Sequence, residues 1–157
     1  MTKSLPHWLP VCLMATVFLS ACSAMPVSIF PTKIDSHFVT SVDVNPDVRG
    51  DARPVIVRVY ELKSANAFEG ADFFTLYDEE AKALGTDLIA RYEFELAPGE
   101  QRQFQRKPHA DTRYMGVLVA YRAIDDARWR ATATIEQRKT NRLTVDIGKK
   151  SVSINSL

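Results

Sequence analysis

The sequence predicts a mainly β protein: a β-sandwich of about seven or eight strands with one short added helix. Three observations predict it. Apolar and polar residues alternate with a period of two through most of residues 36–157. Turn-forming residues interrupt the alternation at intervals of about ten residues. One stretch, residues 64–85, abandons the period of two for helix-like spacing. The 46% hydrophobic and 25% charged content is that of a globular domain able to bury a core.

Residues 1–21 read as a secretory signal peptide. Lys3 gives a cationic start, residues 8–19 an apolar stretch, and Ser20-Ala21 a small-residue exit. A membrane-spanning helix needs about 20 apolar residues, and this stretch is shorter and interrupted by Pro10. Leu19-Ser20-Ala21-Cys22 resembles the lipobox of bacterial lipoproteins. The resemblance implies a diacylglycerol joined to the Cys22 sulfur, cleavage before Cys22 and acylation of the new amine. Cys12 then leaves with the leader and Cys22 is taken by lipid, so neither a disulfide nor a free thiol remains. Two or more acyl chains anchor durably, because each buried methylene contributes about 0.8 kcal/mol. In lipoproteins of this kind from enteric-like bacteria, aspartate after the cysteine retains the protein in the inner membrane. Ser23 stands there instead, which implies the outer membrane and its periplasmic face. Residues 22–35 read as an acylated tether, with Pro26 and Pro31 opposing regular structure.

The domain proper is expected over residues 36–157. Phe38, Thr40, Val42 and Val44 share one face of a first strand. Residues 45–53, NPDVRGDAR, form a polar loop. A second strand follows Pro54, with Val55, Val57 and Val59 on one face and Ile56, Arg58, Tyr60 and Leu62 on the other. Phe68, Phe73, Phe74, Leu76, Tyr77 and Leu84 then recur at helical steps, with the aromatic side expected to pack on the sheet. Asp72 is placed to cap a helix over residues 73–84, and Gly85 to stop it. Tyr92, Phe94 and Leu96 form the next strand, closed by a turn at Pro98-Gly99. The polar stretch around Phe104 suits a sheet edge, where charge blocks unwanted pairing. Residues 114–124 are apolar on both faces, as a central strand requires. Trp129, Ala131, Ala133 and Ile135 alternate with Arg130, Thr132 and Thr134, so Trp129 is expected to face the core. Leu143, Val145 and Ile147, then Val152 and Ile154, complete the sheets.

Chemistry-bearing patterns are sparse. His37 and His109 have no partner at metal-ligand spacing, and no serine sits in a Gly-x-Ser-x-Gly elbow. A phosphate-binding glycine pattern is also missing from the sequence. Asp125-Asp126 reads as a turn, and Glu79-Glu80 as a solvated helix face. The 20 Lys and Arg against 19 Asp and Glu become 19 of each once Lys3 is removed, which gives no basic excess for nucleic acid. No catalytic residue, metal ligand or cofactor is expected beyond the lipid on Cys22. The alternative is a periplasmic lipoprotein with ligand-binding or enzymatic activity on a sandwich.

The order of motifs resembles one family, the TssJ lipoproteins of type VI secretion systems. The features that carry the resemblance begin with the lipobox at Cys22 and the polar loop from Asn45 to Arg53-Pro54. VIVRVYELK and FEGADFFTLY follow, the latter with Phe68, Asp72, Phe73 and Leu76. Next come the turn from Leu96 to Gly99, then Arg113-Tyr114-Met115-Gly116-Val117, Ala120-Tyr121-Arg122 and Trp129-Arg130. The resemblance implies a transthyretin-like sandwich with a small helical addition and a structural, non-catalytic role. It implies an outer-membrane lipoprotein that binds the periplasmic region of TssM and anchors the TssJ-TssL-TssM membrane complex. It also implies a docking element in the loop between the first two strands, here with Asn45, Asp47, Arg49, Asp51 and Arg53. Nucleic acid and small-molecule substrates have no place in it.

Overall fold

A computed structural model describes residues 30–157. Eight strands form two four-stranded sheets. They are β1 (Lys33–Thr40), β2 (Val55–Leu62), β3 (Leu88–Leu96), β4 (Gln101–Arg106), β5 (Tyr114–Ala120), β6 (Arg130–Thr134), β7 (Thr140–Ile147) and β8 (Val152–Ser156). One sheet runs β4-β1-β7-β8 and the other β3-β2-β5-β6. Neighbours are antiparallel except β1 and β7, which run parallel with Lys33 opposite Thr140 and Thr40 opposite Ile147. The loops that follow Thr40 and Ile147 therefore share one end of the sandwich, and Lys33 and Thr140 mark the other.

The alternating residues meet between the sheets. Phe38 of β1, Val57 and Val59 of β2, Val117 and Val119 of β5 and Val145 of β7 are all buried there. Phe38 packs edge-to-face on Phe94, with ring centroids 5.2 Å apart. Each fully buried side chain of this size contributes about 1.5–3 kcal/mol. As its polar residues require, β4 is an edge strand. Gln103 and Gln105 turn outward and donate to Asp35 Oδ1 at 3.0 and 3.1 Å.

A second core lies on the outer face of the β2–β5 pair. Tyr60, Leu62 and Leu118 are covered by Phe68, Leu76 and Leu84 from the segment between β2 and β3. Both faces of β2 and β5 are thus buried, which explains their continuous apolar sequences. Gly116 makes the cover possible, because a Cβ there would lie 3.1 Å from the Phe68 ring.

That segment differs from the single expected helix. It holds α1 (Asn66–Gly70), α2 (Phe73–Asp78) and α3 (Glu80–Leu84). Asp72 caps α2 as expected, accepting from Thr75 N at 3.0 Å, and Gly85 ends α3 at φ 50°. Glu79 divides them at φ −128°, ψ 38°. The cause comes from β2: Arg58, only 8% exposed, donates from Nη1 to the Tyr77 carbonyl at 2.6 Å. A continuous helix would need that carbonyl for its own ladder. Arg58 Nε also reaches Glu93 Oε2 at 2.6 Å, and its guanidinium lies 3.8 Å from the Tyr77 ring centroid. Glu80, expected on a solvated face, instead accepts from Tyr60 Oη at 3.3 Å and pairs with Arg91 at 3.4 Å. Burial pushes the Tyr60 hydroxyl up to about 12.

Three further expectations are corrected. The first strand begins at Lys33, inside the stretch read as tether, because Lys33 N bonds to Lys139 O at 2.9 Å. The strand also stops at Thr40, so Val42 is 79% exposed while Val44 is buried within the loop. At this point Ser41 turns the chain by a hydroxyl bond to the Asp43 carboxylate. Trp129 precedes β6 and is half-buried, packing edge-to-face on Phe73 at 5.3 Å between the two cores.

Candidate partner-docking surface

The loop from β1 to β2 carries the chain from one sheet to the other and holds every docking candidate. Val44 plugs its neck into the core, and Arg53 N closes the neck on Val44 O at 3.1 Å. Asn45 follows at φ 49°, a left-handed conformation that asparagine tolerates better than most residues. It is 5% exposed. Its Nδ2 donates to Pro54 O at 2.8 Å, and its Oδ1 accepts from Arg122 N at 2.8 Å. Its own N–H donates to Lys149 O at 3.0 Å. Asn45 therefore pins three loops together, those after β1, β5 and β7, and presents no side chain to a partner.

Asp47 organises the tip. Its Oδ1 accepts from the backbone N–H groups of Arg49 at 2.8 Å and Asp51 at 3.1 Å. Its Oδ2 takes Arg53 Nε at 3.1 Å and Nη2 at 2.5 Å. Arg53, with the backbone donors, holds the Asp47 carboxyl below the usual carboxylate range, and Asp47 raises Arg53 in return. Gly50, at φ 89°, closes the tip by donating to Asp47 O at 2.9 Å. Asp51 lies 3.6 Å from Arg53 and 3.7 Å from Arg49.

The candidates thus divide. Asn45 and Asp47 build the loop. Arg49, its side chain 75% exposed, faces outward beside Val48, which is fully exposed. Asp51 and Arg53 are partly exposed, at 61% and 43%. An open groove of about 630 Å³ runs beside the tip, lined by Val48 and Arg49 with Arg122, Lys149 and Lys150. The last three escaped the sequence analysis, because only the pairing of β1 with β7 and β2 with β5 brings their loops to this end. Their field is positive, moderated by Asp126, which lies 3.4 Å from Lys150.

A second groove of about 460 Å³ lies against α2, where Phe74, expected to pack on the sheet, is instead 62% exposed beside Ile124 and Trp129. Arg130, expected to alternate outward, donates to the Phe68 and Ala71 carbonyls and secures α1 on β6. Cys22 and Ser23 lie outside the described residues. Among the described residues His37 and His109 are exposed, and no group of His, Cys, Asp and Glu has metal-binding geometry. No helix among them is long and apolar enough to cross a membrane.

Residues 32–150 match the model of a family described as type VI secretion lipoprotein, with VasD, EvfM and TssJ among its members. Among solved structures, the chain is similar to the T6SS lipoprotein TssJ1 from Pseudomonas aeruginosa. Identity is 35% and the TM-score 0.78, over 81% of this chain and 97% of that one. Serratia marcescens Lip, a membrane-bound component of the type VI secretion system, aligns at 23% identity and TM-score 0.72, over 81% and 96%. A chain from a structure described as the T6SS protein TssM C-terminal domain from EAEC aligns at 19% identity and TM-score 0.61, over 80% and 98%. The last two likenesses show the fold. No curated protein sequence matches.

Proposed function

The chain belongs to the TssJ family of type VI secretion lipoproteins, structural proteins and not enzymes, and from that premise we propose that it ties TssM to the outer membrane. Cys22 carries the acyl chains, Ser23 directs the protein to the outer membrane, and the domain faces the periplasm. TssM docks on the β1–β2 loop, with TssL completing the membrane complex. The choice of partner rests on the motif order by which the chain resembles the TssJ family.

The observation that carries the docking site is the pinning of the loop. Asn45 and Asp47 fix its backbone, so little conformational entropy is lost when Val48 and Arg49 engage a partner. Arg49 offers a planar fork to a carboxylate, and Val48 an apolar contact. Arg122, Lys149 and Lys150 around the groove suit an acidic segment of that partner.

Calorimetry with the periplasmic region of TssM tests the site. Val48→Asp with Arg49→Glu leaves Asn45 and Asp47 intact and should weaken binding at least tenfold, about 1.4 kcal/mol. Unchanged affinity moves the site elsewhere, first to the groove at Phe74. Labelling cells with a palmitate analogue tests the anchor: incorporation should vanish in Cys22→Ser. Ser23→Asp should move the protein to inner-membrane fractions.

A further inference from the structure

The end of the sandwich opposite the docking loop carries its own charge pattern. The chain enters the domain there, and the point is fixed. Lys33 N donates to Lys139 O at 2.9 Å, Arg138 N to Thr32 Oγ1 at 2.8 Å, and Asn141 Nδ2 to Lys33 O at 3.1 Å. These bonds clamp the incoming segment to the turn between β6 and β7. Two contiguous grooves surround the clamp and share Lys33 and Arg142. Lys33, Arg106, Lys107, Arg138, Lys139 and Arg142 line them. Against these stand Asp35, which lines one groove, Glu136, paired with Lys139, and the buried Glu61, 3.9 Å from Arg106. The 19 basic and 19 acidic residues that follow the leader balance, so this cationic surface is a local arrangement and not a bulk property.

We infer that this cationic end rests on the anionic phospholipid surface around the anchor, and so orients the sandwich with its docking loop pointing away from the membrane. The inference rests on acylation of Cys22. Residues 22–29, eight in number, span at most about 29 Å fully extended. That reach keeps the domain at the membrane without fixing which end faces it, so the charges decide the orientation. Attraction between Lys or Arg and anionic headgroups operates within about one Debye length, about 8 Å at physiological salt. The other cationic end, at Arg49 and Lys149, lies beyond the far end of β1. Along that strand the separation is about 23 Å, outside the range of a surface touched by Lys33. An unoriented domain on a long tether would present its loop in all directions. One held by its charged end keeps the loop directed into the periplasm.

The test uses the full acylated chain in vesicles, with intact mass reporting acylation on Cys22 independently. A fluorophore is placed on Thr140→Cys or, at the far end, on Val48→Cys, and the headgroups carry the energy acceptor. In vesicles containing phosphatidylglycerol, transfer from position 140 should exceed that from position 48 at least twofold. The difference should collapse in purely zwitterionic vesicles, at high salt, and when Lys33, Lys107, Arg138 and Arg142 are all changed to Gln. Salt and lipid composition test the unaltered patch if that variant folds poorly. Equal transfer from the two positions overturns the inference, as does greater transfer from position 48. A difference that survives zwitterionic lipid also overturns it, because the tether alone would then orient the domain. If the glutamines leave lipid proximity unchanged but release a co-purifying acidic protein, the patch belongs to that protein and not to lipid. Absence of acyl mass removes the anchor reading and this inference with it, whereas failure in an acylated chain removes the inference alone.

Discussion

Replacing Asn45 by Ala tests how the β1–β2 loop is held. Two side-chain hydrogen bonds vanish, to Pro54 O and from Arg122 N, both at 2.8 Å. Partly buried bonds of this kind contribute about 1 kcal/mol each. Alanine must also adopt φ 49°, a left-handed conformation that costs about 1–2 kcal/mol for a residue with a Cβ. The sum is about 3–4 kcal/mol. Asn45→Gly loses the same bonds without the steric cost and should be destabilised by about 2 kcal/mol. Urea unfolding of a fragment comprising residues 30–157 measures both. An Ala variant within about 0.5 kcal/mol of the unaltered protein would refute the pinning argument. A Gly variant as unstable as Ala would refute the part assigned to backbone conformation.

Gly116→Ala should destabilise the fragment by about 1–3 kcal/mol, because its Cβ would meet Phe68 at 3.1 Å and Leu62 at 3.2 Å; chemical denaturation reads it. Phe68→Ala, which empties the same contact from the other side, should cost about 3–5 kcal/mol by the same assay. The acid limb of stability should follow Asp47, Asp72 and Glu100, whose carboxyls sit below their ordinary values. Arg53 lowers the first, the Thr75 hydroxyl the second and the Ala97 N–H the third. A carboxyl depressed on folding contributes stability that is fully present above its unfolded pKa and lost as pH falls through the folded one. Thermal melts should therefore be flat from neutrality to about pH 5 and fall below about pH 4. Asp47→Asn should remove part of that fall.

The sandwich was legible because its periodicity is local. The alternation in β1 and β7, the two-sided apolar stretches of β2 and β5, and the polar edge of β4 each follow from which faces of one strand are covered. The Asp72 cap and the Gly85 stop were legible for the same reason. What escaped depends on residues distant in sequence. The break at Glu79 is made by Arg58, which takes the Tyr77 carbonyl from across the second core. Trp129 alternates as a core residue should, yet the segment covering β2 and β5 draws it to the junction with Phe73. Asn45 stands in a polar loop and reads as surface, but partners on Arg122 and Pro54 bury it. The basic groove needs Arg122, Lys149 and Lys150 beside Arg49, a neighbourhood that only strand pairing creates. The leader and Cys22 were read from a pattern of residue order, outside the described fold.

The most direct test of the central claim is photo-crosslinking in living cells. A photoreactive amino acid at Val48, the fully exposed residue at the loop tip, should give a covalent adduct with TssM in the membrane fraction. The same probe at Thr140, at the opposite end of the sandwich, should give none, and the Val48 adduct should weaken in Cys22→Ser. An adduct from Phe74 on α2, with none from Val48, would contradict the assignment and place TssM on the helical face instead.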